Sequence, residues 1–172
     1  QLTIRWIERD VNEFLNKMLK TTNVSYVVAS DTDSIYIRLG EVVNRIFKDK
    51  SDTRKIVKIM DKFCNETIQP QIDKSFDKLA KYVHAYDQKM IMKREVIANK
   101  GIWTAKKRYI LNAWDIEGVR YKTPQLKIMG IEAVKSSTPA VCRQKIKDAL
   151  NIIMTGDEKM LNTFIQDFRD EF

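Results

Sequence analysis

Cysteine, glycine, proline and histidine are all scarce in this chain of 172 residues, which has two cysteines, five glycines, three prolines and one histidine. Cys64 and Cys142 lie far apart, with no histidine or second cysteine at metal-ligand spacing, which argues against a zinc site and leaves two reduced thiols. His84 stands alone and is read as a surface or packing residue with no assigned role. No stretch approaches the roughly 18 consecutive apolar residues of a membrane span, and the N-terminus lacks the charged, apolar and small-residue order of a signal peptide. An intracellular setting, without a membrane partner, is the expectation. No repeat or low-complexity tract appears.

What the chain does have is enough apolar content for a real core, 44%, and a surplus of cations. Thirty-one Lys and Arg against 23 Asp and Glu give a net charge of +8, which favours a polyanionic partner such as nucleic acid. Charge alone is a weak signal, but the lysines cluster between Lys89 and Lys135.

Ile4, Ile7, Val11, Phe14, Leu15 and Met18 recur at helical spacing and predict an amphipathic helix from Leu2 to Leu19, ended by Thr21, Thr22 and Asn23. Val24 to Ala29 and Ile35 to Leu39 have the β-branched and aromatic content of strands, so Ser30 to Ser34 lie at a hairpin turn. Helical periodicity returns over Glu41 to Phe47 and Arg54 to Val83, where Pro70 should kink or divide the second stretch. Met90 to Ala98 and Trp103 to Trp114 are strand-like. The latter leads through Asp115 to Gly118 into another hairpin at Val119 to Tyr121. Thr138 and Pro139 open a helical C-terminal region, and a last helix from Lys159 to Phe168 follows a break at Thr155 and Gly156. This order fits α+β better than a regular βαβ alternation.

The sequence Ala29-Ser30-Asp31-Thr32-Asp33-Ser34 concentrates two carboxylates on a turn between apolar strands. Hard carboxylate oxygens suit Mg²⁺ or Mn²⁺, and flanking strands can hold such an ion against a phosphate. Aspartates are also ordinary turn residues. An EF-hand loop counted from Asp31 needs glycine and glutamate where Tyr36 and Val42 stand, so that option fails. Haloacid-dehalogenase-like phosphatases also end a strand in Asp-x-Asp, but they continue into a loop and helix, whereas here a second strand follows at once.

The segment YVVASDTDSIYIRL resembles the metal-binding motif in the palm of family B DNA polymerases, where a DTDS turn joins two antiparallel strands. The resemblance implies that Asp31 and Asp33 are the acidic pair of that motif, with Asp33 the ligand of both catalytic ions and Asp31 serving more to hold the turn. Glu95, in Lys93-Arg94-Glu95-Val96-Ile97, reads as a strand residue and matches a palm glutamate near the metals. An ordinary ion pair is the alternative.

Trp103 to Ile110 set Lys106, Lys107 and Arg108 in an aromatic and apolar strand. Alternation would send Lys106 and Arg108 to one face, and Lys107 and Tyr109 to the other. Edge strands often carry lysine, but phosphate contact better explains the aromatic neighbours. The KKRY run resembles the family's primer-strand contact, a role carried to Lys106, Lys107, Arg108 and Tyr109. Leu126 to Glu132, including Lys127, and Lys135-Ser136-Ser137-Thr138-Pro139 resemble the palm-to-thumb segment. Lys135, Ser136 and Ser137 offer donors to a duplex backbone, or simply form a helix entry.

Together with Trp6-Ile7-Glu8-Arg9, these motifs run in the order found in replicative family B polymerases of T4-like bacteriophages. They imply a palm segment over 1–135 and the start of a thumb over 136–172. They also imply two Mg²⁺ or Mn²⁺ ions, primer-template DNA and a deoxynucleoside triphosphate, acting in the host cytoplasm if the source is viral. The family's DxxSLYPS and KxxxNSxYG motifs do not occur in the chain. The expectation is therefore a polymerase piece that is inactive alone and needs the exonuclease, fingers and remaining palm, in cis or as a separate chain. A non-catalytic DNA-binding module is the main rival reading, and a phosphatase a distant third.

Overall fold

A computed structural model describes residues 1–171. Helices and strands are segregated along the chain, giving the expected α+β character. The residues gather into two compact units. One comprises Gln1–Ile97 with Asp115–Lys122, and the other Ala98–Trp114 with Thr123–Phe172. The division expected at residue 135 falls within the second unit.

In the first unit, helix α1 (Leu2–Leu19) buries Ile7, Val11, Leu15 and Leu19, each four residues from the last and so on one face. Each such side chain contributes about 1.5–3 kcal/mol when fully buried. Lys20 closes the helix in the left-handed conformation, with φ 51°. Strands β1 (Val27–Asp31) and β2 (Ser34–Ile37) form an antiparallel pair, with a register shift between Val27 and Ala29. Helices α2 (Gly40–Ile46), α3 (Thr53–Phe63) and α4 (Gln69–Tyr82) follow. Val42, Met60, Ile72 and Phe76 join the α1 residues in one core.

Pro70 divides the long helical stretch as expected, and the break has a defined form. A π-helical segment, Cys64–Ile68, lies between α3 and α4, and Pro70 sits in the first turn of α4. Proline has no N–H to donate to the preceding turn, so the backbone there widens instead of continuing its regular ladder. Half-buried Cys64 lies in this segment, and its burial pushes the thiol up to about 11, as befits an unreactive side chain.

Strands β3 (Val96–Ala105), β4 (Arg108–Ile116) and β5 (Val119–Met129) form a meander in the order β3-β4-β5, and each contributes residues to both units. The β4–β5 hairpin turns at Glu117 and Gly118, both at positive φ, in agreement with the sequence expectation. In the second unit, Ile110, Ile131, Ala133, Leu150 and Met154 form the core beneath helix α5 (Ala140–Thr155). Lys100 Nζ donates to the Met154 carbonyl at 3.0 Å, satisfying an acceptor at the end of α5. Helix α6 (Glu158–Asp170) starts on Asp157, whose side chain accepts the Met160 N–H at 2.8 Å.

Among the described residues, no helix is long and apolar enough to cross a membrane.

Candidate functional site

The acidic hairpin is fixed from beneath by two asparagines that sequence reasoning passed over. Asn12 and Asn16 stand four apart on α1, and so on one face. Asn12 Oδ1 accepts the N–H groups of Tyr26 at 2.7 Å and Val27 at 3.0 Å. Asn16 donates to the Val24 carbonyl at 2.7 Å and accepts the Val24 N–H at 3.0 Å. Each amide thereby satisfies backbone groups of the segment entering β1, setting its path by a route that apolar periodicity does not reveal. Two asparagines spaced four apart on an amphipathic helix, and so on one face, were the available signal. Ser30 also reaches back to Glu8 of α1, at 3.4 Å.

At the tip, Asp31 pairs with Ser34 and only Thr32 and Asp33 turn the chain. Half-buried Asp31 accepts the Thr32 N–H at 2.7 Å and its hydroxyl at 3.2 Å, both on Oδ1. Asp33 is exposed, and its carboxylate takes no hydrogen bond or ion pair from the described residues. Its oxygens are thus uncommitted while those of Asp31 help form the turn. In type, these oxygen donors fit a hard divalent cation, for which Asp33 is better placed to serve. In number they fall short, because no group of three or more His, Cys, Asp or Glu side chains suited to a metal occurs among the described residues.

Glu95 does not lie on a strand. Residues 90–95 are irregular, and β3 begins only at Val96. The reason is tertiary. Arg94 is drawn inward to Asp61 (2.7 Å) and Asp115, while the Glu95 carbonyl accepts the Glu117 N–H at 2.6 Å. Arg120 completes the set, donating to Asp61 at 2.6 Å and lying 3.5 Å from Asp115. Asp115 is fully buried. Burial pushes the Asp61 carboxyl upward, but hydrogen bonds and charge from Arg94 and Arg120 outweigh it and hold the group below its ordinary value. Burial likewise opposes the Arg94 charge, and the two aspartates more than offset it. This network locks the loop before β3 to α3 and the β4–β5 hairpin, so it is architectural in role. Glu95, exposed beside it, joins no three-ligand cluster with Asp31 and Asp33.

The basic run also departs from the strand expected of it. Lys106 and Lys107 form the turn of the β3–β4 hairpin, and the alternation of faces assigned to them does not hold. Both are exposed, and Lys107 has φ 59°, a left-handed conformation costly for a residue with a Cβ. Gly130, itself at φ 66°, explains how the turn is supported. A Cβ on Gly130 would lie 2.2 Å from the Lys107 carbonyl oxygen, so only glycine admits so close an approach. The KKRY and KIMG motifs therefore meet in space. Tyr109 is buried and tilts against Trp103 with ring centroids 6.4 Å apart, making it a support for the turn.

Arg108 opens β4 and faces Glu132, which starts a 3-10 turn over Glu132–Val134. Arg108 Nη2 donates to both carboxylate oxygens, at 2.9 and 2.7 Å, and Lys135 Nζ donates to Oε1 at 3.1 Å. The residue's own backbone N–H, then the bond from Lys135, with a further contribution from Arg108, hold the Glu132 carboxyl down at about 2. The structure thus joins Arg108 to Lys135 through an acid not selected from sequence. Lys127 lies on β5, half-buried, and Ser136 and Ser137 are exposed in the turn before α5. Asp31 and Asp33 belong to the first unit, whereas Lys106, Lys107, Arg108, Lys127, Lys135, Ser136 and Ser137 belong to the second.

A family model described as divergent family B DNA polymerase matches residues 14–163. The chain is 41% identical over 167 residues to a DNA-directed DNA polymerase of Escherichia phage RB69, covering 92% of this chain and 18% of that protein. It is 34% identical over 184 residues to a DNA-directed DNA polymerase of Enterobacteria phage T4, covering all of this chain and 20% of that protein. The chain spans about a fifth of the length of these curated relatives.

Proposed function

Because the chain belongs to the divergent family B DNA polymerases, we propose that it forms part of the catalytic palm and adjoining thumb of an enzyme that extends a DNA primer. The observation that carries this reading is the uncommitted Asp33 carboxylate at the tip of the β1–β2 hairpin, within a chain of this family.

Asp33 would be the principal ligand of a pair of Mg²⁺ or Mn²⁺ ions, with Asp31 the second acid of the pair, serving more to shape the turn. The ions, when bound, neutralise charge on the attacking and leaving oxygens of an in-line phosphoryl transfer. The chain's part is to hold carboxylates where those charges arise, with the α1 asparagines fixing the strand behind them. Glu95 is not counted among the ligands, since it joins no cluster with the aspartates. In the second unit, Lys106, Lys107, Arg108 and Lys135 meet the phosphates of the primer-template duplex. Ser136 and Ser137 add neutral donors, while Tyr109 braces the turn from within. Lys127, on the strand leading to Gly130, belongs to the same basic surface.

Two carboxylates make an incomplete metal cage, so the 172-residue chain alone incorporates no nucleotides and requires further polymerase segments, in cis or as a partner chain. Primer extension separates these statements. The purified chain should give no extension, and extension by it would refute the claim of incompleteness. In a complete polymerase containing this segment, Asp33→Ala should reduce synthesis about 10³-fold or more, a loss of roughly 4 kcal/mol of transition-state stabilisation, with duplex binding retained. Normal turnover by that variant would remove Asp33 from the metal site.

A further inference from the structure

We propose that Glu132 is a positioning residue for DNA binding: it holds Arg108 and Lys135 as a preset pair of phosphate contacts. This rests on the DNA-binding reading of the second unit and concerns a residue which that reading leaves unused. An acid in the middle of a surface meant for a polyanion is otherwise an electrostatic liability.

The geometry shows how the acid can help. Arg108 spends a single nitrogen, Nη2, on both oxygens of Glu132. Its Nε and Nη1 make no hydrogen bond within the described residues, leaving N–H donors on both sides of the guanidinium for a phosphate. Lys135 spends one of its three ammonium donors on Oε1. All three side chains stay accessible, at 40%, 45% and 44% relative exposure for Arg108, Glu132 and Lys135. The acid itself is well anchored. Glu132 sits between Ile131 and Ala133, both buried in the second unit's core, and the Lys135 N–H returns to its carbonyl at 3.3 Å. One fixed carboxylate therefore removes the rotamer freedom of two long cationic side chains before DNA arrives, so less ordering cost remains for binding. The low proton affinity of Glu132 keeps the arrangement charged throughout the working pH range.

Simple electrostatics and positioning predict opposite signs, which makes the role testable. Binding of a fluorescent primer-template duplex to the full 172-residue chain would be followed by anisotropy at several salt concentrations. Glu158→Gln, at an exposed acid of the same unit, makes the same charge change without touching Arg108. That control should bind as well as the wild type or slightly better. Glu132→Gln, although it also raises the net charge, should bind about 3- to 10-fold more weakly, with a shallower dependence on log salt as two phosphate contacts loosen. In an Arg108→Gln background the same substitution should lose most of its effect, an interdependence that mere loss of folding would not produce. Glu132→Gln binding as tightly as Glu158→Gln, or additive effects of Glu132→Gln and Arg108→Gln, would overturn the role. Absence of salt-dependent duplex binding by the wild type would overturn the underlying DNA-binding reading, and this role with it.

Discussion

The two hairpin turns that carry the candidate chemistry are the same length and opposite in sign, and they are held by different means. Thr32 and Asp33 turn β1 into β2, with support supplied locally by Asp31, whose side chain accepts from the next residue. Lys106 and Lys107 turn β3 into β4, with support from more than twenty residues away, where Gly130 lets the Lys107 carbonyl approach its Cα. A turn that must gather negative charge can use one carboxylate to hold itself and expose the other. A turn of two lysines has no acceptor of its own to spend, so its strain at Lys107 must be met by packing.

The sharpest way to break this contrast is at Gly130. Gly130→Ala brings a methyl group against backbone and adds left-handed strain, so it should destabilise the second unit by about 2–4 kcal/mol in chemical denaturation. A change below about 0.5 kcal/mol would mean that the basic turn does not depend on that contact. A smaller effect distinguishes the two aspartates. Asp31→Asn should cost about 1 kcal/mol of stability by weakening the bonds to Thr32, whereas Asp33→Asn should stay within about 0.5 kcal/mol. Paramagnetic broadening by Mn²⁺ should show the reverse ranking, with Asp33→Asn losing more of the signal. Equal effects of the two variants in both measurements would erase the division of labour. The smallest effect is expected at Lys107. Lys107→Gly relieves the left-handed conformation and should raise stability by less than about 1 kcal/mol. It should also lower the slope of log affinity for duplex DNA against log salt by about 0.9, as one phosphate contact is lost.

The same contrast explains what could be read from the sequence. The α1 helix, the acidic hairpin and the Glu117–Gly118 turn rest on local patterns: apolar residues one face apart, carboxylates beside a threonine, and a glycine where positive φ is needed. Lys106 and Lys107 carry no such mark. They read as strand because neither is a turn-forming residue, and the glycine that sustains them is remote in sequence. Glu95 was misplaced for a related reason, since the neighbouring Arg94 is drawn away by Asp61 and Asp115, 33 and 21 positions distant. Asn12 and Asn16 were visible as a polar pair on α1, but their backbone partners became evident only once the strand lay beside the helix. Glu132 closes the Leu126–Glu132 segment, and its role is not legible there because an acid among cations carries no sequence mark of the bonds it makes.

The interleaving of the two units along the chain has a consequence during synthesis. Asp61 and Arg94 emerge from the ribosome first, yet Asp115 and Arg120, which complete their charge network, follow only after residues 98–114 of the other unit. A nascent chain ending near residue 97 therefore holds an arginine short of a carboxylate and an aspartate short of a guanidinium. The first unit cannot finish its interior until part of the second has been made. Neither unit is a continuous stretch of chain, so no single cut separates one from the other.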